Sequence, residues 1–208
     1  MINDLLNAVK DLKSSDVKKL VDTRIREFKG IGVGSSDVIF KELCFCILTA
    51  NFNAEKCMRI QREVGDGFLT FSEKKLAERL KELGHRYPNT RAKYISDARE
   101  YKDSLKDIIH SLNGEELREW LVKNIKGVGY KEASHFLRNV GFDDFAIVDF
   151  HIIDILAEHD LIERPKVLTR KKYLEIEQML KEIAKGLNLS LAELDLYLWY
   201  METGKILK

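Results

Sequence analysis

One segment restricts the possible folds more than any other, because residues 38–48 are apolar nearly all round a helix. A helix without a polar face is buried, so this segment predicts a central helix packed among others. The two segments before it have the three- and four-residue spacing of amphipathic helices. Their apolar residues are Leu5, Val9, Leu12, Val17, Leu20, Val21, Ile25 and Phe28. The sequence therefore predicts an all-α protein.

The apolar residues keep helical spacing along the rest of the chain. The alternation of apolar and polar residues that is typical of a β-strand is convincing only in the short segment 145–148. The predicted helices span 4–12, 16–28, 38–48, 53–64, 73–83, 89–103, 105–111, 114–124, 130–140, 150–160, 170–185 and 190–203. Gly30, Gly32 and Gly34 are interpreted as a linker after the second helix, because no strand precedes them to form a phosphate loop.

Charge and hydropathy set limits on the partners and on the location of the protein. No apolar run reaches the roughly 20 residues that cross a bilayer, and the chain begins with a polar amphipathic segment rather than a signal sequence. We therefore expect a cytoplasmic protein without a membrane partner. The formal net charge of +1 does not indicate a nucleic-acid partner, so any such partner must be recognised locally.

The three cysteines, Cys44, Cys46 and Cys57, lie within fourteen positions, two of them in the buried segment. An odd number of cysteines in an apolar helix, with no histidine at ligand spacing, does not fit a disulfide framework or a zinc site. We expect three reduced core residues and no bound metal.

Residues 117–140 contain an amphipathic helix, the turn Gly127-Val128-Gly129 and a second helix. The two glycines allow a sharp turn with exposed amides at the start of a helix, where an anion such as a DNA phosphate is favoured. Residues 118–138 contain five basic and two acidic side chains, which gives this segment a net charge of +3. A solvated helix face could carry the same charge, but the glycine turn favours DNA binding.

This hairpin, the Lys131 that follows it and residues 147–152 resemble the helix-hairpin-helix and aspartate signature of DNA glycosylases related to endonuclease III. Within that superfamily the chain is most similar to the archaeal-type 8-oxoguanine DNA glycosylase/AP lyases, and the similarity extends through most of the chain to its last residue. The resemblance implies a bifunctional repair enzyme that acts on double-stranded DNA containing oxidised guanine. It also implies excision through a lysine Schiff base, followed by β-elimination.

Carried over by position, the resemblance makes Lys131 the nucleophile and Asp149 the catalytic aspartate. An unprotonated amine can attack C1′ of the damaged nucleoside, and a carboxylate can stabilise the positive charge that develops on the sugar. Taken alone, Lys131 would be a solvated lysine in the first turn of a helix, and Asp149 would be a helix cap. His151 is expected to contact a phosphate or to orient Asp149, although a plain helix-surface histidine fits as well.

A glycosylase that everts its base needs a wedge and a stacking pocket. The resemblance points to Asn51 and Phe52 as the loop that fills the vacated stack, although Phe52 could equally be a core residue. Tyr87 and Trp199 are the candidates for stacking on the base, with Trp199 as core packing the alternative. Lys208 is expected to close the pocket, with its terminal carboxylate accepting a hydrogen bond from N7–H of 8-oxoguanine, which guanine lacks.

The same resemblance predicts two subdomains across an active-site cleft. Residues 33–145 form a bundle ending in the helix-hairpin-helix at about 115–140, and residues 1–32 with 146–208 form the second.

No cysteine follows Cys57, which excludes the four-cysteine iron–sulfur cluster common in endonuclease III. No organic cofactor is expected, although hairpin carbonyls could hold a monovalent cation. We expect a monomer. Two other functions stay open: a glycosylase for oxidised pyrimidines and a non-catalytic helix-hairpin-helix DNA-binding module.

Overall fold

The computed structural model describes residues 2–208, and within them the regular structure is helical throughout, with no strand. Thirteen α-helices occur in these residues, together with a 3₁₀ turn at Arg99–Tyr101. In chain order the helices are α1 Ile2–Lys13, α2 Val17–Gly32, α3 Ser36–Thr49, α4 Ala54–Val64, α5 Gly67–Thr70, α6 Glu73–Glu82, α7 Pro88–Ala98, α8 Leu105–Ser111, α9 Gly114–Asn124, α10 Tyr130–Asn139, α11 Phe150–Glu158, α12 Arg170–Leu187 and α13 Leu191–Thr203. The all-α prediction is confirmed.

The central helix is α3, as its sequence predicts. From Ile39 to Ala50 only Lys41 is not buried, and α3 packs against α2, α4, α5, α7, α8 and α10. Its cysteines, with Cys57 on α4, are buried free thiols, as expected. Burial raises the pKa of all three thiols, that of Cys57 to about 12.

Buried apolar side chains form two clusters that meet between Phe145 and Ala146. The first takes in residues between Ile39 and Phe145. The second combines residues between Leu5 and Phe28 with others between Ala146 and Leu198. The active-site cleft between two subdomains stays a prediction.

The structure differs from the sequence prediction after residue 28, where α2 continues through the supposed linker to Gly32. A Cβ atom on Gly32 would lie 2.0 Å from the carbonyl oxygen of Val140, so this glycine allows α2 to contact the backbone at the end of α10. Residues 145–148 are buried and without regular structure rather than a strand. None of the described helices is both long enough and apolar enough to span a bilayer.

Candidate active site

The glycine turn between α9 and α10 forms the predicted helix-hairpin-helix. Gly127 has a φ of 79°, and a Cβ atom there would lie 2.3 Å from Cδ2 of Tyr94, so both the conformation and the space require glycine. The Val128 side chain is buried, and its amide donates to the carbonyl oxygen of Ile125 at 3.2 Å. The turn therefore fixes the direction in which α10 begins.

The amides of this hairpin are less free than the sequence suggests. The Glu132 carboxylate, three residues into α10, accepts a hydrogen bond from the Gly129 amide at 3.1 Å. Glutamate commonly caps a helix from this position. Binding of a DNA phosphate by Gly127, Val128 and Gly129 stays a prediction, and it would use the first-turn amides of α10 or displace Glu132.

Lys131 is the second residue of α10, with one quarter of its side chain exposed. Its Nζ lies 3.6 Å from Oε1 of Glu132. Its positive charge also acts on the interior: it offsets part of the rise that burial causes in the pKa of the Cys57 thiol, and it adds to the lowering that burial and Arg138 cause in the pKa of the His135 imidazole. Lys131 thus stands at the edge of the interior rather than on a fully solvated face.

Asp149 is the N-cap of α11. Its Oδ1 accepts a hydrogen bond from the Ile152 amide at 3.1 Å, and the side chain is half-buried. The buried segment 145–148 leads directly to it, which fixes its position. The structure therefore places Asp149 in the capping position that the sequence predicts.

The largely buried Asp195 on α13 is a carboxylate whose pKa responds to the charges of both Lys131 and Asp149. Burial raises the pKa of Asp195 to about 6, the charges of Arg138 and Lys131 lower it, and the charge of Asp149 raises it. The Arg138 guanidinium donates a short hydrogen bond to Asp195. Both candidate catalytic residues are therefore within electrostatic range of one buried carboxylate.

Sequence reasoning missed Asp195 and Arg138 as members of the site. A signal for Asp195 was present, because it is the only charged residue in the apolar run 194–199. Arg138 was recognised only as part of a basic window.

The ring of His151, two residues after Asp149 in the chain, lies edge-on to the ring of Trp199. Their ring centroids are 4.6 Å apart with the planes at 78°. The buried Nε1 of Trp199 and Nδ1 of His151 have no hydrogen-bond partner among residues 2–208, although Nδ1 lies 3.6 Å from Oε1 of Glu202. Phe150 is 65% exposed and stacks on His151 at 4.0 Å. The rings of Phe150, His151 and Trp199 thus form an aromatic cluster in which two ring nitrogens have no hydrogen-bond partner among the described residues.

Lys208 turns back into the protein. Its Nζ donates to Oε2 of Glu42 at 2.7 Å and lies 4.6 Å from the ring centroid of Phe45. Within the described residues, neither ring nitrogen of the buried His135 has a hydrogen-bond partner. Burial lowers the pKa of His135 well below its ordinary value.

The remaining site candidates lie around His85. Phe52 is half-buried with its ring 4.3 Å from that of His85, whereas Asn51 is exposed with a φ of 57°. The Tyr87 amide donates to Nδ1 of His85 at 3.0 Å, so Nε2 carries the proton that Leu48 accepts. Over the described part of the chain no ring contact joins Tyr87 directly to Trp199. The structure thus brings Phe52 and Tyr87 together through a histidine that sequence reasoning left without a role.

A metal site is not indicated for residues 2–208, which contain no suitable group of three or more histidine, cysteine, aspartate or glutamate residues. The monovalent cation at the hairpin carbonyls stays a prediction. Two of these carbonyls, those of Ile125 and Gly129, already accept hydrogen bonds from Val128 and Ala133.

Comparisons with known proteins lead to one family. Residues 21–189 match the family described as 8-oxoguanine DNA glycosylase. The chain is 56% identical over 206 residues to the 8-oxoguanine DNA glycosylase/AP lyase of Methanocaldococcus jannaschii, which covers 98% of this chain and 99% of that protein. A crystal structure of the Methanocaldococcus jannaschii glycosylase/lyase with a 15mer DNA containing 8-oxoguanine matches with a TM-score of 0.96 over 98% of this chain and 99% of that one. The Thermotoga maritima 8-oxoguanine DNA glycosylase matches at 42% identity and a TM-score of 0.95 over 100% of both chains.

Proposed function

The chain belongs to the 8-oxoguanine DNA glycosylase family, and on this basis we propose that it excises 8-oxoguanine from DNA and then cleaves the strand as an AP lyase. One observation carries the proposal beyond family membership. A lysine directly after the hairpin and an aspartate at the start of α11 both act on the buried Asp195. Lys131 in the first turn of α10 and Asp149 at the N-cap of α11 supply an amine nucleophile and an anionic stabiliser, which are the two groups that the reaction needs.

The reaction uses the amine of Lys131 as the nucleophile. Its nitrogen bonds to C1′ while the N-glycosidic bond breaks, and the base leaves with the electron pair and takes up a proton. The Asp149 carboxylate stabilises the positive charge that develops on the sugar. The bonded nitrogen then loses a proton, and the C1′–O4′ bond breaks as a C1′=N double bond forms, so that O4′ takes up a proton and leaves as a hydroxyl. Loss of a proton from C2′ of this Schiff base moves an electron pair into a C2′=C3′ double bond and expels the 3′ phosphate. No step needs an organic cofactor.

The base pocket is assigned to Trp199, Tyr87 and Lys208. Aromatic faces can stack on an everted base, and the unpartnered Nε1 of Trp199 is a free donor in the described structure. The terminal carboxylate of Lys208 would accept a hydrogen bond from N7–H of 8-oxoguanine and repel the N7 lone pair of guanine. Stacking and this single contact together would select the lesion.

The partner is double-stranded DNA that contains oxidised guanine, which is the kind of lesion in the DNA bound by the Methanocaldococcus jannaschii relative. The hairpin and His151 are assigned to its phosphates, and Asn51 with Phe52 to the vacated stack. Asn51 is the better placed of those two, because it is exposed whereas Phe52 packs on His85. We further propose a monomer that acts on nucleoid DNA in the cytoplasm, which sedimentation and imaging of the tagged protein would test.

The decisive experiment is borohydride trapping on a duplex containing 8-oxoguanine. Reduction should crosslink the wild-type protein to DNA, and Lys131→Gln should abolish the crosslink. Lys126→Gln is the matched control, because this exposed hairpin lysine pairs with Asp97 at 2.9 Å and has no assigned chemistry.

Competing lesions in the same assay separate the alternatives. Preferential crosslinking to an oxidised pyrimidine would favour the other glycosylase activity. A non-catalytic DNA-binding module requires that no crosslink forms and that Lys131→Gln changes nothing. A crosslink through a different side chain would contradict the proposed mechanism.

A further inference from the structure

A buried ionic contact holds the last residue of the chain. The Lys208 ammonium donates to Oε2 of Glu42 at 2.7 Å, and only 3% of the Glu42 side chain is exposed. Glu42 belongs to the central helix α3, whereas residues 205–208 have no regular structure. The tail is therefore attached to the central buried helix α3 through the side chain of Lys208.

Two further hydrogen bonds fix the Glu42 carboxylate. Asn139 at the end of α10 donates to Oε1 at 2.6 Å, and Gln61 on α4 donates to Oε2 at 3.2 Å. Buried carboxylates are tolerated when their oxygens have such partners. The position of Glu42 therefore does not depend on Lys208, and the carboxylate can serve as a preformed socket for an ammonium.

The same network continues to the catalytic side of the cleft. The Asn139 side-chain oxygen accepts from Nε and Nη2 of Arg138 at 3.1 and 3.0 Å. Arg138 in turn holds Asp195, on whose pKa both Lys131 and Asp149 act. One chain of polar contacts thus runs from the terminal residue to the carboxylate beside the candidate catalytic pair.

We propose that Glu42 is a positioning residue for recognition of the lesion, because it fixes the side chain of Lys208 and thereby the terminal carboxylate that reads N7 of the base. The inference rests on the proposed function. Glu42 acts through Lys208 and does not touch the base. Since 8-oxoguanine and guanine differ only at C8 and N7, a small displacement of that carboxylate removes the contact that separates them.

The experiment compares base excision with cleavage of a preformed abasic site, which needs no base recognition. In Glu42→Gln, excision from an 8-oxoguanine duplex, measured as kcat/KM, should fall at least about tenfold more than abasic-site cleavage. The matched control is Glu55→Gln, which breaks the exposed Lys205–Glu55 pair of 2.6 Å on the same tail. It should keep the wild-type ratio of the two activities.

A second variant covers the case in which Glu42→Gln does not fold. Lys208→Met keeps the terminal carboxylate and an aliphatic stem but removes the ammonium, so it should lower the same ratio by a similar factor. The ratio of the two activities in the double variant should be no lower than in either single variant, because both substitutions break the same Lys208–Glu42 contact.

Two results would overturn the role of Glu42 and leave the proposed function intact. One is a wild-type ratio of excision to abasic-site cleavage in Lys208→Met, and the other is a double variant in which the losses of the two single variants multiply. A wild-type protein that cleaves abasic sites but excises no 8-oxoguanine would overturn the proposed function as well.

Discussion

At the scale of single residues, Asp149 combines a structural and a chemical role. It caps α11 through the Ile152 amide, and its charge acts on the site around Asp195. Capping needs only a hydrogen-bond acceptor, whereas stabilising a cationic sugar needs a negative charge. The two roles can therefore be separated by choice of substitution.

We expect Asp149→Asn to keep the cap and lose the chemistry. Asparagine caps helices about as well as aspartate, so the free energy of unfolding should change by less than about 0.5 kcal/mol. The single-turnover excision rate should fall about 100-fold or more. Asp149→Ala should lose a similar factor in rate and about 1 kcal/mol of stability besides. Wild-type excision by Asp149→Asn would show that the carboxylate is only a cap.

Buried His135 makes stability depend on pH. Burial keeps its imidazole neutral in the folded protein, with a pKa well below the ordinary 6.5. As the pH falls below 6.5, the unfolded chain takes up a proton that the folded protein does not, so stability is lost in acid. Asp195 acts in the opposite direction, because its pKa is raised to about 6 in the folded protein.

The contributions of His135 and Asp195 to the pH dependence of stability can be distinguished by substituting His135. Between pH 7.5 and 5.5, His135 alone should cost about 1.4 kcal/mol. His135→Gln should therefore lose about that much less stability than the wild type over the same interval, as measured by urea unfolding at both pH values. An equal loss in the two proteins would mean that His135 can be protonated in the folded state.

The candidate catalytic residues could be identified from the sequence, but their surroundings could not. Lys131 and Asp149 belong to local patterns, the glycine hairpin and a cap after an apolar segment. The contacts of Glu42 with Asn139 and of Arg138 with Asp195 join residues 97 and 57 positions apart. Such pairs have no local spacing, so only the fold reveals them.

At the scale of elements, helix ends were predictable where a side chain or a left-handed residue ends the helix. The predicted helix 190–203 agrees with α13 to within one residue, because Ser190 and Glu193 form a capping box at its start and Gly204 ends it with a φ of 68°. The predicted end of α2 was wrong. Gly32 is a glycine because α2 contacts the end of α10 there, and no local sequence pattern indicates this contact.

Two glycines of α2 provide a matched test of that explanation. A Cβ atom on Gly30 meets nothing within 4 Å, so Gly30→Ala should raise the free energy of unfolding by about 0.5–1 kcal/mol. Gly32→Ala should lower it by about 1–3 kcal/mol, because its Cβ would meet the Val140 carbonyl. Urea unfolding of both variants would decide, and stabilisation by both would mean that the α2–α10 contact is loose.

At the scale of the whole molecule, the most deeply buried of the ion pairs between the two parts of the chain is that of Arg118 with Glu177. Arg118 on α9 and Glu177 on α12 are 1% and 3% exposed, with Nη1 2.8 Å from Oε1. Glu177 also accepts from the Ala146 amide at 3.0 Å, at the junction of the two core clusters. We propose these clusters as the cores of the two predicted subdomains, with Glu177 joining them below the cleft.

This arrangement predicts a large difference between the two carboxylates that share Arg118. Glu177→Ala should cost about 3–5 kcal/mol of unfolding free energy, because it leaves a guanidinium buried without its main partner. Glu115→Ala should cost less than about 1 kcal/mol, since Glu115 contacts the same guanidinium at 2.8 Å with 60% of its side chain exposed. Replacing both Arg118 and Glu177 with methionine should recover part of the loss, because no unpaired charge remains. If Glu177→Ala and Glu115→Ala cost the same free energy of unfolding, burial is not what makes the Arg118–Glu177 pair important for stability.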